Sequence, residues 1–348
     1  MFCLASAVAL IIGWSSCFGQ DLFVGNVNCF AIYEITAGGQ QSTYASGLEN
    51  VLALAFDNAN NLFVADGNGN INGYIYKFDT NGVRSTFASG LYNVSGLALD
   101  SSGNIFVSAS TDSGGATFLI YKFTPAGARS TFASDISSYA TGLAFDNEGN
   151  LFVADSGSIY KYNPSGARTN FASGLSSPGG LAFDSSGNLY AAASGSILKY
   201  TPSGSQSTFA SGLNWAYGLT FNSHGDLYVG DRGTGRIYKY TPSGAKSTFA
   251  SGLCQVTGLA FRLLDPNTFC VLSLTPQEQD MVITWMMVPG ATNALQAVSG
   301  DACGTYSTNG FTDILVVTNI AIVGTITNFQ DIGALTNGTS RYYRARWN

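Results

Sequence analysis

The chain has 348 residues and a formal net charge of −6, and only 10% of its residues are charged, against about 25% in an ordinary globular protein. Its 42 glycines, 23 Phe, 18 Tyr and 8 Pro describe an all-β protein rich in tight turns, and exclude a helical bundle, a coiled coil or a disordered chain. With acidic residues in excess there is no basic field to collect phosphates, which excludes nucleic acid as a partner.

From the N-terminus, Leu4 to Trp14 is an apolar run too short for the ~20 residues of a membrane-spanning helix. It reads as the core of a signal peptide over residues 1–19, cleaved after Gly19. An alternative takes Trp14-Ser15-Ser16-Cys17 as a lipoprotein box with Cys17 as the lipidated residue. Both predict a secreted or extracytoplasmic protein, and no other apolar run is long enough for a transmembrane segment.

Downstream, four short segments recur in a fixed order. Leu-Phe-Val begins at Leu22, Leu62, Ile105, Leu151, Leu189 and Leu227; Ile-Tyr-Lys-Tyr begins at Ile32, Ile75, Ile120, Ile159, Ile197 and Ile237. Ser-Thr-Phe carries its aromatic at Tyr44, Phe87, Phe132, Phe171, Phe209 and Phe249; Gly-Leu-Ala-Phe carries its leucine at Leu54, Leu97, Leu143, Leu181, Leu219 and Leu259. Each segment is β-branched or aromatic and bounded by Gly, Asn, Ser or Pro, which predicts a strand. Four strands in about 41 residues is the period of a propeller blade. With Gly-Leu-Ala-Phe as strand a and the others as b, c and d, the array opens with b, c and d and ends on a lone a strand, Gly258 to Phe261. That strand is expected to complete the first blade and close a six-bladed β-propeller over residues 20–262, removing two open edges.

The a-b turns, such as Asp146-Asn147-Glu148-Gly149-Asn150, and the c-d turns, such as Thr201-Pro202-Ser203-Gly204, are uniform, with Asp starting the turn and Gly taking positive φ. Phe56, Phe145, Phe183, Phe221 and Phe261 are expected to pack between blades. Because strands alternate in direction, the b-c and d-a loops share the opposite face, which varies from blade to blade. Loops held by a rigid scaffold are where binding residues gather. The ligand-binding candidates there are Tyr92, Tyr139, Trp215 and Tyr217 in d-a loops, with Arg232 and Arg236 in a b-c loop. The partner they suit is a small molecule, a carbohydrate or a protein. The b strands end at Asn26, Asp66, Ala109, Asp155, Ala193 and Asp231. Asn26, Asp66, Asp155 and Asp231 are candidate oxygen ligands for Ca²⁺ or another divalent cation; the competing expectation is that they accept backbone N–H bonds in the turns that follow. His224, the single histidine, lies in a turn of the uniform face, which argues against a His-dependent triad or zinc site at the channel. Cys29 and Cys254 both fall on the variable face beside the closing strand, where they form a disulfide or remain two free thiols. Cys270 and Cys303 belong to the next domain.

After Phe261 the repeat stops. Residues 263–348 carry short β segments without the period, including Met281-Val282-Ile283-Thr284-Trp285 and Tyr342-Tyr343-Arg344-Ala345-Arg346-Trp347. They predict a small β-sandwich and resemble a fibronectin type III or immunoglobulin-like domain. Gly142-Leu143-Ala144-Phe145-Asp146 through Asn150-Leu151-Phe152-Val153-Ala154-Asp155-Ser156, with its five relatives, resembles the NHL-repeat propellers and the gluconolactonase-like superfamily. The resemblance implies a fold that hosts lactonases, lyases and binding modules alike. Gluconolactonase-like enzymes hold a divalent ion with one Glu and several Asn or Asp; here Asp155, Asn26, Asp66 and Asp231 match, and no Glu does. The expectation is a secreted, monomeric binding or scaffold propeller; the alternative is a metal-dependent lactone or ester hydrolase.

Overall fold

A computed structural model describes residues 20–67, 73–115 and 117–262, and beyond them the backbone of six strands. The signal-peptide and lipid-anchor expectations fall on residues outside the described ones. Strands β1 (Leu22–Val27), β2 (Ala31–Ile35) and β3 (Gln41–Ser46) begin blade 1. Blade 2 is β4 (Val51–Phe56), β5 (Leu62–Asp66), β6 (Gly73–Phe78) and β7 (Arg84–Leu91); blade 3 is β8 (Leu97–Leu99), β9 (Ile105–Ser110), β10 (Phe118–Phe123) and β11 (Arg129–Ile136). Blade 4 is β12 (Gly142–Phe145), β13 (Leu151–Asp155), β14 (Ser158–Tyr162) and β15 (Arg168–Ser173). Blade 5 is β16 (Pro178–Phe183), β17 (Leu189–Ala193), β18 (Ser196–Tyr200) and β19 (Gln206–Ser211). Blade 6 is β20 (Ala216–Phe221), β21 (Leu227–Asp231), β22 (Arg236–Tyr240) and β23 (Lys246–Ala250), followed by β24 (Gln255–Phe261).

Five sheets keep the chain order of their four strands, and the sixth is ordered β24-β1-β2-β3. The last strand thus completes the first blade, antiparallel to β1 with Leu22 opposite Phe261 and Val24 opposite Leu259. The fold is a six-bladed β-propeller closed as the segment order requires.

The a strands surround a central channel of about 270 Å³ whose lining includes Leu54, Leu97, Leu143, Leu181, Leu219 and Leu259. All six leucines are buried, so the middle of the channel is an apolar ring. In five blades a glycine precedes this leucine, with Ala53 in its place in blade 2, and at those five positions there is little room for a side chain. A methyl at Gly96 would lie 2.7 Å from Ala140 O, and one at Gly258 would lie 3.1 Å from Ala53 Cα, so neighbouring inner strands approach backbone to backbone. Outside this ring the blades are joined by aromatics. Phe152 of β13 meets Phe171 of β15 and Phe183 of the next blade at 5.0 and 5.1 Å, and Phe171 meets Tyr200 of the next blade at 5.5 Å. The set around Tyr190 repeats this with Phe209, Phe221 and Tyr240. Such edge-to-face contacts add to the burial of apolar area.

The outer d strands begin with exposed polar residues, and every c-d pair contains a register shift, as between Ile159 and Tyr160. Bulges and polar side chains of this kind keep edges from pairing with other chains. The a-b turns are braced as expected. Asp146 Oδ1 accepts the Glu148 and Asn150 amides at 3.0 and 2.8 Å, and Oδ2 accepts Asn150 Nδ2 at 2.8 Å; Asp57, Asp100 and Asp184 do the same in their own turns.

Six strands from Phe269 onward belong to a separate compact unit. It holds β25 (Phe269–Gln277), β26 (Asp280–Met287), β27 (Thr292–Ser299), β28 (Thr312–Thr318), β29 (Thr325–Asp331) and β30 (Arg341–Trp347). They make two three-stranded antiparallel sheets, β25-β26-β29 and β28-β27-β30. Among the described residues no helix is long and apolar enough to cross a membrane.

Candidate functional site: the variable-loop face

The polar side chains that end the b strands are buried, and the three carboxylates among them are tied to loops. Asp66 accepts the amides of Glu49 (3.0 and 3.1 Å) and Asn50 (2.8 Å). Asp155 accepts those of Ser137 (2.7 Å) and Ser138 (3.0 Å) together with the Ser138 hydroxyl (3.0 Å), and Asp231 accepts the Asn214 amide at 3.0 Å. Asn26 donates through Nδ2 to Val24 O at 3.2 Å. The partners of the three carboxylates lie in the d-a loop that enters the same blade, rather than in the turn that follows. Burial, only partly offset by the two amides it accepts, holds the Asp66 carboxyl above its ordinary value. Among the described residues no three His, Cys, Asp or Glu side chains converge, so the three carboxylates do not surround one point. Asn26 Oδ1 and Asp231 Oδ1 are buried without a hydrogen-bond partner among the described residues. Of the oxygen ligands suggested by the gluconolactonase-like pattern, Asp66, Asp155 and Asp231 are thus engaged in holding loops, while Asn26 bonds within its own strand.

Blade 6 brings three of the ligand candidates together. The Arg232 guanidinium lies 4.6 Å from the Trp215 ring and 5.3 Å from the Tyr217 ring. Its Nε and Nη2 both donate to Gln255 Oε1, at 3.1 and 2.8 Å. The backbone locks the same elements: the Arg232 amide donates to Trp215 O at 3.0 Å and the Gly233 amide to Asn214 O at 2.8 Å. Trp215 holds a left-handed backbone, φ +72°, and its side chain remains 48% exposed. Tyr217 lines the channel and its hydroxyl meets Thr141 of blade 4; burial raises its pKa, against the opposing effects of Arg232 and Thr141. The phenol therefore stays protonated at neutral pH. Gln255 carries no signal in sequence, since it opens the closing strand 23 residues beyond Arg232.

The remaining candidates are dispersed. Tyr139 is 49% exposed with its ring 4.6 Å from Phe118. Tyr92 is half-buried and its carbonyl accepts the Ser110 amide at 2.8 Å. Arg236 is exposed at the start of β22, opposite Asp231. Four large apolar side chains are strongly exposed among the described residues, and three of them, Phe30 at 58%, Tyr139 and Trp215, stand on this face. Phe30 follows Cys29, and the Cys29 and Cys254 Cα atoms lie 6.0 Å apart, within the span of a disulfide.

Six blades closed by the last strand define the molecule as a six-bladed β-propeller of the type found in gluconolactonase-like proteins and streptogramin B lyase. No protein-family profile and no curated protein matches the chain. Among solved structures it is similar to a streptogramin B lyase, with TM-score 0.53 and 13% identity over 70% of this chain and 91% of that one. It is similar to a gluconolactonase from Xanthomonas campestris, with TM-score 0.51 and 16% identity over 57% of this chain and 75% of that one. A protein of unknown function from Bacteroides caccae gives TM-score 0.52 and 13% identity over 70% of this chain and 99% of that one. At these identities the likeness is one of fold.

Proposed function

We propose that the chain is an extracytoplasmic binding module whose ligand sits on the variable-loop face, at the channel mouth beside blade 6. The observation that carries this reading is the Trp215–Arg232–Tyr217 stack, held by backbone bonds and by Gln255 while Trp215 stays half-exposed. A preformed aromatic platform loses little conformational freedom on binding. The opposite face consists of turns braced by their own Asp or Asn residues, and offers no comparable surface. The placement of Cys29 beside Cys254 supports an oxidising compartment.

The test screens a panel of small molecules and glycans against the full chain and against Trp215→Ala combined with Tyr217→Ala. The double variant is expected to lose at least tenfold in affinity while its melting temperature stays within a few degrees. Ser102→Ala with Ser186→Ala, on the uniform face, leaves binding unchanged. The reverse pattern overturns the assignment of faces. Hydrolysis of a simple lactone that a chelator abolishes would replace this reading with that of a metal-dependent hydrolase.

A further inference from the structure

We infer that the ligand of this face carries a ring and a carboxylate, the carboxylate taken by Arg232 and the ring by the open face of Trp215. The inference rests on the binding reading above and adds the charge of the ligand to it.

Arg232 is half-buried between two aromatic rings, yet among the described residues no carboxylate forms an ion pair with it. Some cations that stack on rings in this propeller find one, as Lys161 with Asp146, Lys199 with Asp184 and Lys239 with Asp226, at 3.4, 3.8 and 2.8 Å, while Lys77 and Lys122 stack without one among the described residues; Arg232 differs from these in lying over two rings with its guanidinium fixed by a side-chain amide. Asp231, adjacent in sequence to Arg232, accepts the Asn214 amide through Oδ2 and leaves Oδ1 without a partner among the described residues, and neither oxygen forms an ion pair with Arg232. What fixes Arg232 is a neutral amide. Gln255 Oε1 takes the Nε–H and one Nη2–H, which sets the plane of the guanidinium without cancelling its charge. A guanidinium has five donors in a rigid fork, so the edge made by Nη1 and the second Nη2 proton remains for a bidentate acceptor. A cation withdrawn from water with no counter-charge is costly, and a ligand carboxylate supplies that charge.

The ring requirement comes from Trp215. One of its faces is covered by Arg232, and the half-exposed side chain offers the other for stacking. Arg236, exposed on the same hairpin, adds positive potential at the approach to the site. Both an aromatic acid and a sugar acid meet this description, and the two are separated by experiment.

Isothermal titration of the full chain with benzoate and with glucuronate, each against its neutral counterpart benzamide or methyl glucoside, tests the inference. At least one carboxylate is expected to bind about tenfold more tightly than its neutral partner, the scale of a charge-assisted hydrogen bond, and which one does so identifies the ring. Arg232→Met should abolish that preference. Gln255→Glu should also abolish it, because the glutamate keeps the acceptor while neutralising the guanidinium, and it serves if Arg232→Met fails to fold. The inference is overturned if neither carboxylate outbinds its neutral partner, or if the preference survives both variants. If the rings bind, depend on Trp215, and show no charge preference, the site stands and only the carboxylate is wrong. Binding that survives Trp215→Ala with Tyr217→Ala removes the site itself.

Discussion

Two residues before the channel leucine, three repeats place a hydroxyl that reaches the next blade. Ser95 Oγ donates to Ala140 O and Thr141 Oγ1 to Pro178 O, both at 3.1 Å. Thr257 Oγ1 lies between Val51 O and Gly25 O, the latter 3.1 Å away. Thr257→Val keeps the shape and removes the one proton these two carbonyls share; it is expected to cost about 1–3 kcal/mol in denaturant unfolding, and Thr257→Ser is expected to restore most of it. Asp146 shows a charge effect. Burial alone would raise its pKa, but the Asn150 side chain and amide and the Lys161 ammonium outweigh that and hold it below 3.8. Its contribution is therefore present above the unfolded value and lost as pH falls through the depressed folded one. Asp146→Asn should be less stable than the parent at pH 7, and the gap should close on acidification below 3.8; a pH-independent gap in melting temperature contradicts the assignment. At this scale the sequence was readable where a residue serves its own turn, as Asp146 does. It was less readable where the partner is distant: Asp155 bonds Ser137 and Ser138 across its blade, and spacing alone does not reveal that return.

Among elements, the b-strand aromatic is the shared link. Phe152 touches the d strand of its own blade and the a strand of the next, so Phe152→Ala opens a void where two blades meet. The expected loss is about 3–5 kcal/mol, measured by chemical unfolding, whereas Val83→Ala, at an exposed turn position, should change stability by less than about 0.5 kcal/mol. Strand identity and order were legible because each repeat states the same period again. The leucine ring was not read as a ring, because a single Gly-Leu-Ala segment does not show whether its leucine faces a neighbouring blade or the axis. The same limit hid Gln255, whose role exists only once β24 has been laid beside blade 6.

For the whole molecule, closure through β24 is the decisive contact. A chain ending after Leu253 leaves β1, β2 and β3 with an unpaired edge and should aggregate or unfold, while one ending after Pro266 should give a cooperative transition near that of the full chain's propeller. Equal stability of the two contradicts the six-bladed closure. Peptide mapping of exported protein without reductant should recover Cys29 linked to Cys254, and reduction should lower stability by up to about 5 kcal/mol on the loop-entropy estimate. Free thiols at both positions exclude the bond.

The closing strand also sets the order of events in time. The Thr257–Gly25 contact spans 232 residues, while five blades are built from strands that follow one another directly in the chain. Non-local pairings are slow because chain entropy is lost before the contact repays it, although each doubling of loop length adds only about 0.6 kcal/mol. Blade 1, the earliest of the six to be synthesised, is therefore the last to be completed. Until then β1 waits with one side unpaired, and a nascent propeller is most exposed to wrong partners at its beginning.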